Sequence, residues 1–327
     1  MPPLVSIITP SYNQGAYLAD TIDSVLAQNY PHIEYGIVDG GSTDGSVDLI
    51  RKYESRLDWW ISEPDKGQAH AINKGMNKVQ GEIVAWINSD DFYLPHAVNR
   101  AVRVFQQQAP GMVFGDGLTV DAKGYPLNRL SPGEWGLSDL MRFRIICQPA
   151  VFFRRDVWQE AEGLDPTFHY MLDHQLWIKI AAQHAVVHVE QLLAASRHHA
   201  GAKNVASASG FSEEIFRLLS WMEHHPLLGD LYDQDRRKIL GGAYRLSARY
   251  LLEDNKPRQA VHHYLKALRR WPAYASRHWH RILFGVVSML TGFTIDDLPP
   301  KRSAPLGRDY PPDWRDWPGL KLENGRG

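Results

Sequence analysis

Short apolar runs that each end in a polar, glycine-rich loop recur along the first part of the chain. Four such runs, at residues 4–8, 33–38, 59–62 and 83–87, have the length and composition of strands. The segments between them are spaced like amphipathic helices, most clearly at 17–27 and 69–78. Continuous apolar strands alternating with helices are typical of a sheet covered on both faces. The pattern therefore predicts an α/β fold with a mostly parallel central sheet flanked by helices.

The apolar run at 83–87 leads within three residues to two adjacent carboxylates, Asp90 and Asp91. In open α/β sheets the ligand crevice lies beyond the carboxyl ends of the strands. Carboxylates gathered there need a cation or hydrogen-bond donors, and a divalent metal that holds a phosphate would meet that need. On this stretch alone, an equally good interpretation is that the two residues cap a helix beginning near Leu94 and Pro95.

Several classes of protein are excluded. The chain has neither a Gly-x-Gly-x-x-Gly loop after its first strand nor a Walker loop, which argues against a dinucleotide-binding site and a P-loop nucleotidase. With 36 Lys and Arg against 37 Asp and Glu, it is not a nucleic-acid-binding polycation. Its only cysteine, Cys147, allows no internal disulfide and no cysteine-cluster metal site, and we interpret it as a small core residue.

The segment from 112 to 181 is less regular. The run 112–120 with the turn 121–124 predicts a hairpin. A second apolar run at 145–153 is interrupted by Gln148 and Pro149, so it should lie at a sheet edge or line a cleft. Apolar residues at 176, 177 and 180 then predict a helix with Asp173 in its first turn.

Amphipathic helices are predicted at 211–223, 236–252 and 257–271, separated by Gly241–Gly242 or by the turn at 254–257. Twelve Lys and Arg but only two acidic residues lie between 236 and 281, and an apolar segment follows at 282–293. Region 236–293 is thus either a peripheral contact with an anionic membrane or a solvated basic face beside a buried core helix. The N-terminus lacks the pattern of a secretory signal, so we expect a cytoplasmic protein, at the inner face of the membrane if the first interpretation holds.

Four motifs in succession resemble family 2 glycosyltransferases of the GT-A fold. They are Pro10-Ser11-Tyr12-Asn13, Asp39-Gly40-Gly41-Ser42-Thr43-Asp44-Gly45-Ser46, Asp65-Lys66-Gly67 ahead of Asn73 and Gly75, and Asn88-Ser89-Asp90-Asp91. The resemblance extends to about residue 205. It implies a GT-A catalytic domain at 1–205, followed by a helical, basic extension at 206–297 and an irregular tail at 298–327 rich in proline and glycine.

The resemblance implies a nucleotide-sugar donor, with a UDP-sugar as first choice, and Mg²⁺ or Mn²⁺ as cofactor. The metal ligands that it implies are Asp91, Asp90 and His199. Donor binding falls on a larger set of matching positions: Pro10, Tyr12, Asn13, Asp39, Asp65, Gln68, Asn88, Asp90, Arg197 and Lys203. Asn88 stands where many relatives have an aspartate, which leaves the metal fewer charged ligands. For Asp39 and Asp65, the alternative is turn formation or helix capping.

Asp173 matches the family's catalytic base, the carboxylate that takes the proton from an attacking acceptor hydroxyl. Leu172 and Gln175 replace acidic neighbours that are common in the family. The alternative is that Asp173 is a helix N-cap.

These expectations describe an inverting, metal-dependent glycosyltransferase that acts on a glycan or lipid-linked hydroxyl acceptor in cell-surface polysaccharide or glycan synthesis. Two alternatives stay open. A sugar-1-phosphate nucleotidyltransferase would share the sheet and metal, yet it should have a basic glycine-rich loop where this chain has Pro10-Ser11-Tyr12-Asn13. A non-catalytic sugar-nucleotide-binding or scaffolding protein would keep the donor site without turnover. No nucleic-acid partner is expected.

Overall fold

A computed structural model describes residues 2–202 and 208–294. Its strands are β1 Val5–Ser11, β2 Ile33–Asp39, β3 Trp59–Ser62, β4 Ile83–Trp86, β5 Phe92–Tyr93, β6 Met112–Val120, β7 Pro126–Leu130, β8 Val151–Arg154 and β9 Val186–Arg197. Its helices are α1 Leu18–Leu26, α2 Ser46–Tyr53, α3 Gln68–Met76, α4 Ala97–Gln108, α5 Leu137–Met141, α6 Arg155–Glu160, α7 Leu172–Gln183, α8 Ala208–His224, α9 Gly229–Glu253, α10 Pro257–Arg270, α11 Pro272–Ala275 and α12 Trp279–Thr291. Lys203 and the tail predicted at 298–327 lie outside the described residues.

The strands form one twisted layer in the order β3-β2-β1-β4-β8-β6-β9-β5, with β7 paired to β6. The first four strands are mutually parallel. Beyond β4 the sheet is mixed, because β8 runs antiparallel to both β4 and β6 whereas β9 runs parallel to β6. The predicted α/β class is confirmed, and the parallel part is the half that carries the four motifs.

Alternate residues of the central strands point into two different cores. In β1, Ile7 packs with α1 and α4 on one face, whereas Ile8 packs with α3 and α7 on the other. The same alternation occurs in β4 and β8, where Phe152 and Phe153 lie on opposite faces. Both faces are therefore covered, which explains why these strands are uninterrupted apolar runs in the sequence.

The hairpin predicted from the run 112–120 and the turn 121–124 is present as β6 and β7. The run at 145–153 is only partly a strand, since a 3₁₀ turn at Gln148–Ala150 delays β8 until Val151. The prediction that Gly241–Gly242 separates two helices is wrong, because both residues lie inside α9. A Cβ on Gly242 would lie 1.9 Å from the carbonyl oxygen of Arg142, so the pair provides close packing instead of a break.

The C-terminal helices share the larger core with the sheet. Ile215 and Leu218 of α8 are buried in the same cluster as Trp177 of α7. The last helix, α12, is not the fully buried core helix allowed by the sequence, because Leu283 and Leu290 are exposed. Within the described ranges, no helix combines the length and hydrophobicity needed to cross a bilayer.

Candidate active site

The carboxyl ends of the parallel strands bring three of the four motifs side by side. Ser11 at the end of β1 pairs with Asp39 at the end of β2, which in turn pairs with Ser62 at the end of β3. The polar loops that follow these strands therefore leave the same edge of the sheet. Strand β4, paired to β1, sends the Asn88–Asp91 loop to that edge as well.

Asp39 organises the loop that follows β2. Its side chain is fully buried, and its Oδ2 accepts hydrogen bonds from the backbone N–H groups of Gly41 (3.0 Å) and Ser42 (2.9 Å) and from the Ser62 hydroxyl (2.8 Å). Its Oδ1 accepts one bond, from the Ser42 hydroxyl. The turn-forming alternative is thus correct for the local role of Asp39, and its contact with a nucleoside stays a prediction.

Tyr12, Gly40 and Asp65 come from three different loops and lie in contact. A Cβ on Gly40 would lie 2.7 Å from Oδ2 of Asp65 and 3.3 Å from the Tyr12 ring. The Tyr12 side chain is 62% exposed, whereas Pro10 is buried at the end of β1. Asp65 Oδ1 also accepts the backbone N–H of Gly67, just before α3. The glycine leaves an open aromatic face beside a carboxylate, an arrangement suited to a stacked base.

Asn13 joins the loops after β1 and β2. Its side-chain oxygen accepts the backbone N–H of Thr43 (2.9 Å), and its own N–H donates to the Ser42 hydroxyl (2.8 Å). The residue has φ +51°, a conformation that asparagine tolerates better than most residues. Asn13 therefore fixes the spacing of the two loops, while donor contact by its side chain stays a prediction.

The Asp90–Asp91 pair does not cap the following helix. Helix α4 begins at Ala97 without a side-chain cap, and Asp91 Oδ1 instead accepts the backbone N–H of Arg197 from the end of β9. Burial, and secondarily the charge of Asp90, raises the pKa of Asp91 well above its usual range. A buried carboxylate with a second one beside it is poorly compensated by two neutral donors, and a hard cation fits this site.

Arg197 is buried and braces the acidic loop. Its guanidinium donates to the carbonyl oxygens of Asp90 (2.9 Å) and Ala122 (3.0 Å) and to the Asp20 carboxylate (2.9 Å), and it lies against the ring of Tyr17. All three nitrogens are thus directed to protein acceptors, so the geometry accounts for Arg197 as a support of the loop. Its predicted contact with the donor is not needed to explain this placement.

His199 completes this group. Its Nε2 lies 3.0 Å from Oδ2 of Asp90, and its ring packs on Tyr17 at 4.5 Å between centroids. The three residues predicted as metal ligands, Asp90, Asp91 and His199, are therefore close together. Among the described residues, however, no three carboxylate, imidazole or thiol side chains form a ready-made metal cage. The remaining ligands of a bound ion would come from a diphosphate and water.

Asn88 links the start of α3 to the second half of the molecule. Its side-chain oxygen accepts from Gln68 (2.7 Å), and its amide donates to Gln148 (2.9 Å) and to Asp91 (3.2 Å). Gln148 also donates to the carbonyl oxygen of Trp86 at the end of β4. The amide at position 88 thus provides a donor to the buried carboxylate where an aspartate would add a second negative charge.

Asp173 lies in the first turn of α7 and is not its N-cap, which is Met171. Its Oδ1 accepts the backbone N–H of His174 at 2.7 Å. The partly buried side chain lines a cavity of about 60 Å³, together with Ile145, Ile146, Tyr170, Phe211 and Tyr250. That volume holds a few waters, and its aromatic walls come partly from the C-terminal helices.

The segment 145–148 connects Asp173 to the acidic loop. Ile145 and Ile146 border the cavity beside Asp173, whereas Gln148 bonds to Asn88 on the side of Asp91. Cys147 between them is buried, as predicted, and burial followed by the charge of Asp91 raises the pKa of its thiol. The charge of Asp173 contributes in the same direction. One short segment thus separates the predicted metal ligand from the predicted base.

Four polar residues at or near the site were not anticipated from sequence: Asp20, Asp116, Gln148 and Glu214. Only Gln148 had a signal, the polar interruption of an apolar run. Asp116 is fully buried and accepts from Arg129, Ser131 and His188. Burial raises the pKa of Asp116, but these three hydrogen bonds outweigh burial and leave it below its usual range.

Comparison with known proteins agrees with this arrangement. The family model "Glycosyl transferase family 2" matches residues 6–156. An uncharacterised glycosyltransferase of Nostoc sp., alr2836, is 30% identical over 223 residues, which cover 64% of this chain and 69% of that protein. The chain belongs to glycosyl transferase family 2. Within the family, TuaG of Bacillus subtilis, named for teichuronic acid biosynthesis, is 48% identical over 86 residues, which are 25% of this chain.

The matched region spans only about a third of two relatives, 34% of TuaG and 36% of a glycosyltransferase of Rickettsia bellii. Among solved structures, Staphylococcus aureus TarS 1–349 in complex with UDP-GlcNAc superposes with a TM-score of 0.59 at 14% identity, covering 88% of this chain and 92% of that one. The mannosyltransferase PcManGT of Pyrobaculum calidifontis, in complex with GDP-Man and Mn²⁺, gives 0.57 at 18% identity, covering 89% and 88%. These likenesses show that this family 2 member has the fold of those enzymes.

Proposed function

We propose that this protein is an inverting, metal-dependent glycosyltransferase that moves a sugar from a nucleotide-sugar donor, most simply a UDP-sugar, to a hydroxyl acceptor. The observation that carries the proposal is the approach of two acidic groups to one segment. Asp91 contacts residues 145–148 through Asn88, and Asp173 lies beside the same segment at the cavity.

The nucleoside would bind at the edge formed by the loops after β1, β2 and β3. Tyr12 offers an exposed ring, and Asp65 offers a carboxylate oxygen within reach of the same space. Asp39 has one oxygen that accepts a single hydrogen bond, which leaves capacity for a base N–H or a ribose hydroxyl. The solved structures of TarS with UDP-GlcNAc and of PcManGT with GDP-Man support a nucleotide-sugar donor of this kind.

Asp91 would hold a Mg²⁺ or Mn²⁺ ion, with Asp90 and His199 beside it. When bound, the ion would offset the charge that develops on the departing diphosphate. Coordination would also keep the Asp91 carboxylate ionised in its buried position. The PcManGT structure, solved with Mn²⁺, supports a divalent ion in this fold.

Asp173 would act as general base. The acceptor hydroxyl loses its proton to the carboxylate as its oxygen attacks the anomeric carbon, and the bond from that carbon to the diphosphate oxygen breaks. Attack from the face opposite the leaving group inverts the configuration in one displacement, so no covalent sugar–enzyme intermediate forms. We propose a glycan or lipid-linked acceptor in cell-surface polysaccharide synthesis, which the name of TuaG supports.

Replacing Asp173 by Asn tests the assignment, because the amide keeps the shape of the side chain but cannot take the proton. We expect transfer to fall by a factor of about 10²–10⁴ while UDP affinity, measured by calorimetry with Mn²⁺, stays unchanged. An exposed carboxylate on another element, Asp48, is the control, and Asp48→Asn should leave both quantities unchanged.

The result distinguishes the alternatives. Donor binding with no transfer by the wild-type protein to any of a panel of hydroxyl acceptors would favour a binding or scaffolding protein. Release of pyrophosphate from UTP and a sugar-1-phosphate would instead identify a nucleotidyltransferase. Unchanged transfer by Asp173→Asn would end the base assignment while leaving the enzyme class intact.

A further inference from the structure

The last helix, α12, exposes a row of four large apolar side chains, bordered on one side by the exposed His280 and Thr291. Trp279, Leu283, Val287 and Leu290 follow each other at intervals of three and four residues, so they lie on one side of the helix. Their exposed fractions are 65%, 55%, 41% and 75%. The opposite side is packed, because Gly285 is buried and a Cβ on it would lie 3.1 Å from Val261 of α10. A contiguous row of exposed apolar side chains on one side of a surface helix is typical of a binding surface.

The charge of the stretch from α10 to α12 is one-sided, although Arg281 pairs with Glu253 of α9 at 3.7 Å. No residue between 257 and 294 is acidic, whereas the same stretch contains six cations: Arg258, Lys266, Arg269, Arg270, Arg277 and Arg281. Arg258, Arg269 and Arg277 are exposed, and within the described ranges none of the three forms an ion pair. On α10, Arg258 and Arg269 lie on the same side as the exposed Leu265. Helix α10 itself packs directly against α12.

The geometry points to α12 as a docking helix for an anionic bilayer surface, with its apolar face in the interface and the neighbouring arginines on lipid phosphates. Apolar burial and attraction to anionic headgroups act together in such helices. Trp279 at one end of the stripe suits the headgroup level, where tryptophan is enriched. Charge complementarity favours this partner over a second copy of the chain, because the same cations would repel one another across a symmetric contact.

Flotation of the full chain tests the docking helix. Wild type should rise with phosphatidylcholine vesicles that contain phosphatidylglycerol, and not with phosphatidylcholine alone. We expect the double variant Leu283→Glu, Leu290→Glu to lose at least tenfold in partition, and Arg269→Gln to lose about fivefold. Leu227→Glu is the matched control, because Leu227 is an exposed leucine outside this surface and should bind like wild type.

Three results would overturn the docking proposal. Equal flotation of wild type and the double variant would show that the apolar face does not touch lipid. A wild-type dimer that the double variant converts to a monomer, measured by light scattering, would make the face a contact between copies. Failure of wild type to float with vesicles of either composition would show that the face does not dock on lipid.

A separate observation concerns Glu214 on α8. Its carboxylate is buried and accepts three backbone N–H groups in succession, from His169 (2.7 Å), Tyr170 (2.8 Å) and Met171 (2.9 Å). These residues lead directly into the first turn of α7, where Asp173 lies. Hydrogen bonds from N–H groups to an ionised carboxylate are stronger than neutral ones, and here they fix the entry of the helix.

We infer that Glu214 is a positioning residue for the base, an inference that rests on the proposed function. Through Glu214, helix α8 would fix the position of Asp173 relative to the acceptor. An amide at position 214 has a single acceptor oxygen, so it cannot satisfy all three N–H groups. The loop 169–171 would then shift, and with it the first turn of α7. The donor loops after β1 to β4 would be unaffected.

Glu214→Gln should lower kcat roughly 10–100-fold, with UDP affinity within about twofold of wild type. Glu213→Gln, at the exposed neighbouring position, should match wild type in both quantities. If Asp173→Asn abolishes transfer while Glu214→Gln keeps full kcat, the positioning role is wrong and the proposed function stands. If Asp173→Asn itself keeps full transfer, the base assignment fails first. Loss of UDP affinity in Glu214→Gln would show a general structural role instead.

Discussion

At the scale of single residues, the electrostatics around the buried Asp91 depend on an amide. Asn88 donates to the buried Asp91 and at the same time bonds to Gln68 and Gln148. An aspartate at this position would add a third carboxylate to those of Asp90 and Asp91, in a region of low solvent exposure. The asparagine therefore stabilises the metal-free protein and reduces the charge available to a cation.

Asn88→Asp should lower the free energy of unfolding by about 2–3 kcal/mol without metal, because two donated hydrogen bonds are replaced by repulsion. Added Mn²⁺ should then raise the melting temperature of the variant more than that of wild type. Calorimetry with and without Mn²⁺ measures both effects, with the exposed Asn77→Asp as control. An equal Mn²⁺ response in both proteins would show that position 88 lies away from the ion.

His174, next to the predicted base, makes stability depend on pH. Its Nε2 lies 2.9 Å from the Leu140 carbonyl oxygen, and its buried Nδ1 has no partner among the described residues. Burial lowers the pKa of His174 to about 4 from its usual 6.5. In the window between these values the unfolded chain binds the additional proton, so the free energy of unfolding falls as pH falls.

We expect the histidine to account for a loss of about 3 kcal/mol between pH 6.5 and 4. Unfolding by urea at several pH values should show a shallower pH dependence for His174→Gln than for wild type. His280→Gln, at an exposed position, should keep the wild-type slope. The same slope in His174→Gln would mean that another group controls this range.

At the scale of elements, glycines allow helix α9 to pack against backbone. A Cβ on Gly242 would collide with the Arg142 carbonyl, and one on Gly241 would lie 2.6 Å from Cβ of Trp271. Alanine is a better helix former than glycine by about 1 kcal/mol, so helix propensity alone predicts alanine here. At this contact, the need for close approach between α9 and the backbone of Arg142 outweighs the lower helix propensity of glycine.

Gly242→Ala should therefore destabilise the protein by about 2–4 kcal/mol despite its higher helix propensity, because backbone atoms have to separate. Gln259→Ala, at an exposed position of α10, should be neutral or slightly stabilising. Thermal unfolding of the two variants measures the difference. A stabilised Gly242→Ala variant would contradict the close packing between α9 and the loop at 142.

At the scale of the whole molecule, the sheet with its flanking helices and the C-terminal helices α8 and α9 share one core. Phe211, Ile215 and Tyr250 are buried in the same cluster as the helix that carries Asp173. Phe211 stacks on Tyr250 and lies against Tyr170, so aromatic rings from both parts enclose the cavity beside Asp173. The packing around Asp173, within the segment that resembles the family, thus depends on helices α8 and α9, which lie outside that segment.

A chain cut after residue 205 should not unfold cooperatively. The cut removes α8 and α9, so the apolar surface that they cover becomes exposed. It also leaves the backbone N–H groups that donate to Glu214 without their acceptor. Circular dichroism during heating provides the measurement. A sharp transition near that of the full chain would instead show that residues 1–205 fold on their own.

Particular residues show how far the sequence could be interpreted. The four strand-ending motifs lie at one edge of the sheet, where Asp39, Asp65 and Asp91 are found, because parallel strands leave little freedom in where their carboxyl ends lie. The capping interpretation of Asp90 and Asp91 was wrong because it considered only the nearest helix, whereas one of the two donors to the Asp91 side chain is the backbone N–H of Arg197, 106 residues away. Glu214 had no sequence signal, since its partners are backbone atoms.

By itself, the sequence determined the four parallel strands, the loops that follow them and the family, because hydrophobic periodicity and turn residues act over short distances and each strand end carries its own chemistry. The tertiary structure alone decided which carboxylates are buried, which N–H groups they accept and which face of α12 stays exposed. Those outcomes depend on contacts between segments far apart in the chain, and no local pattern records the partner that a side chain meets.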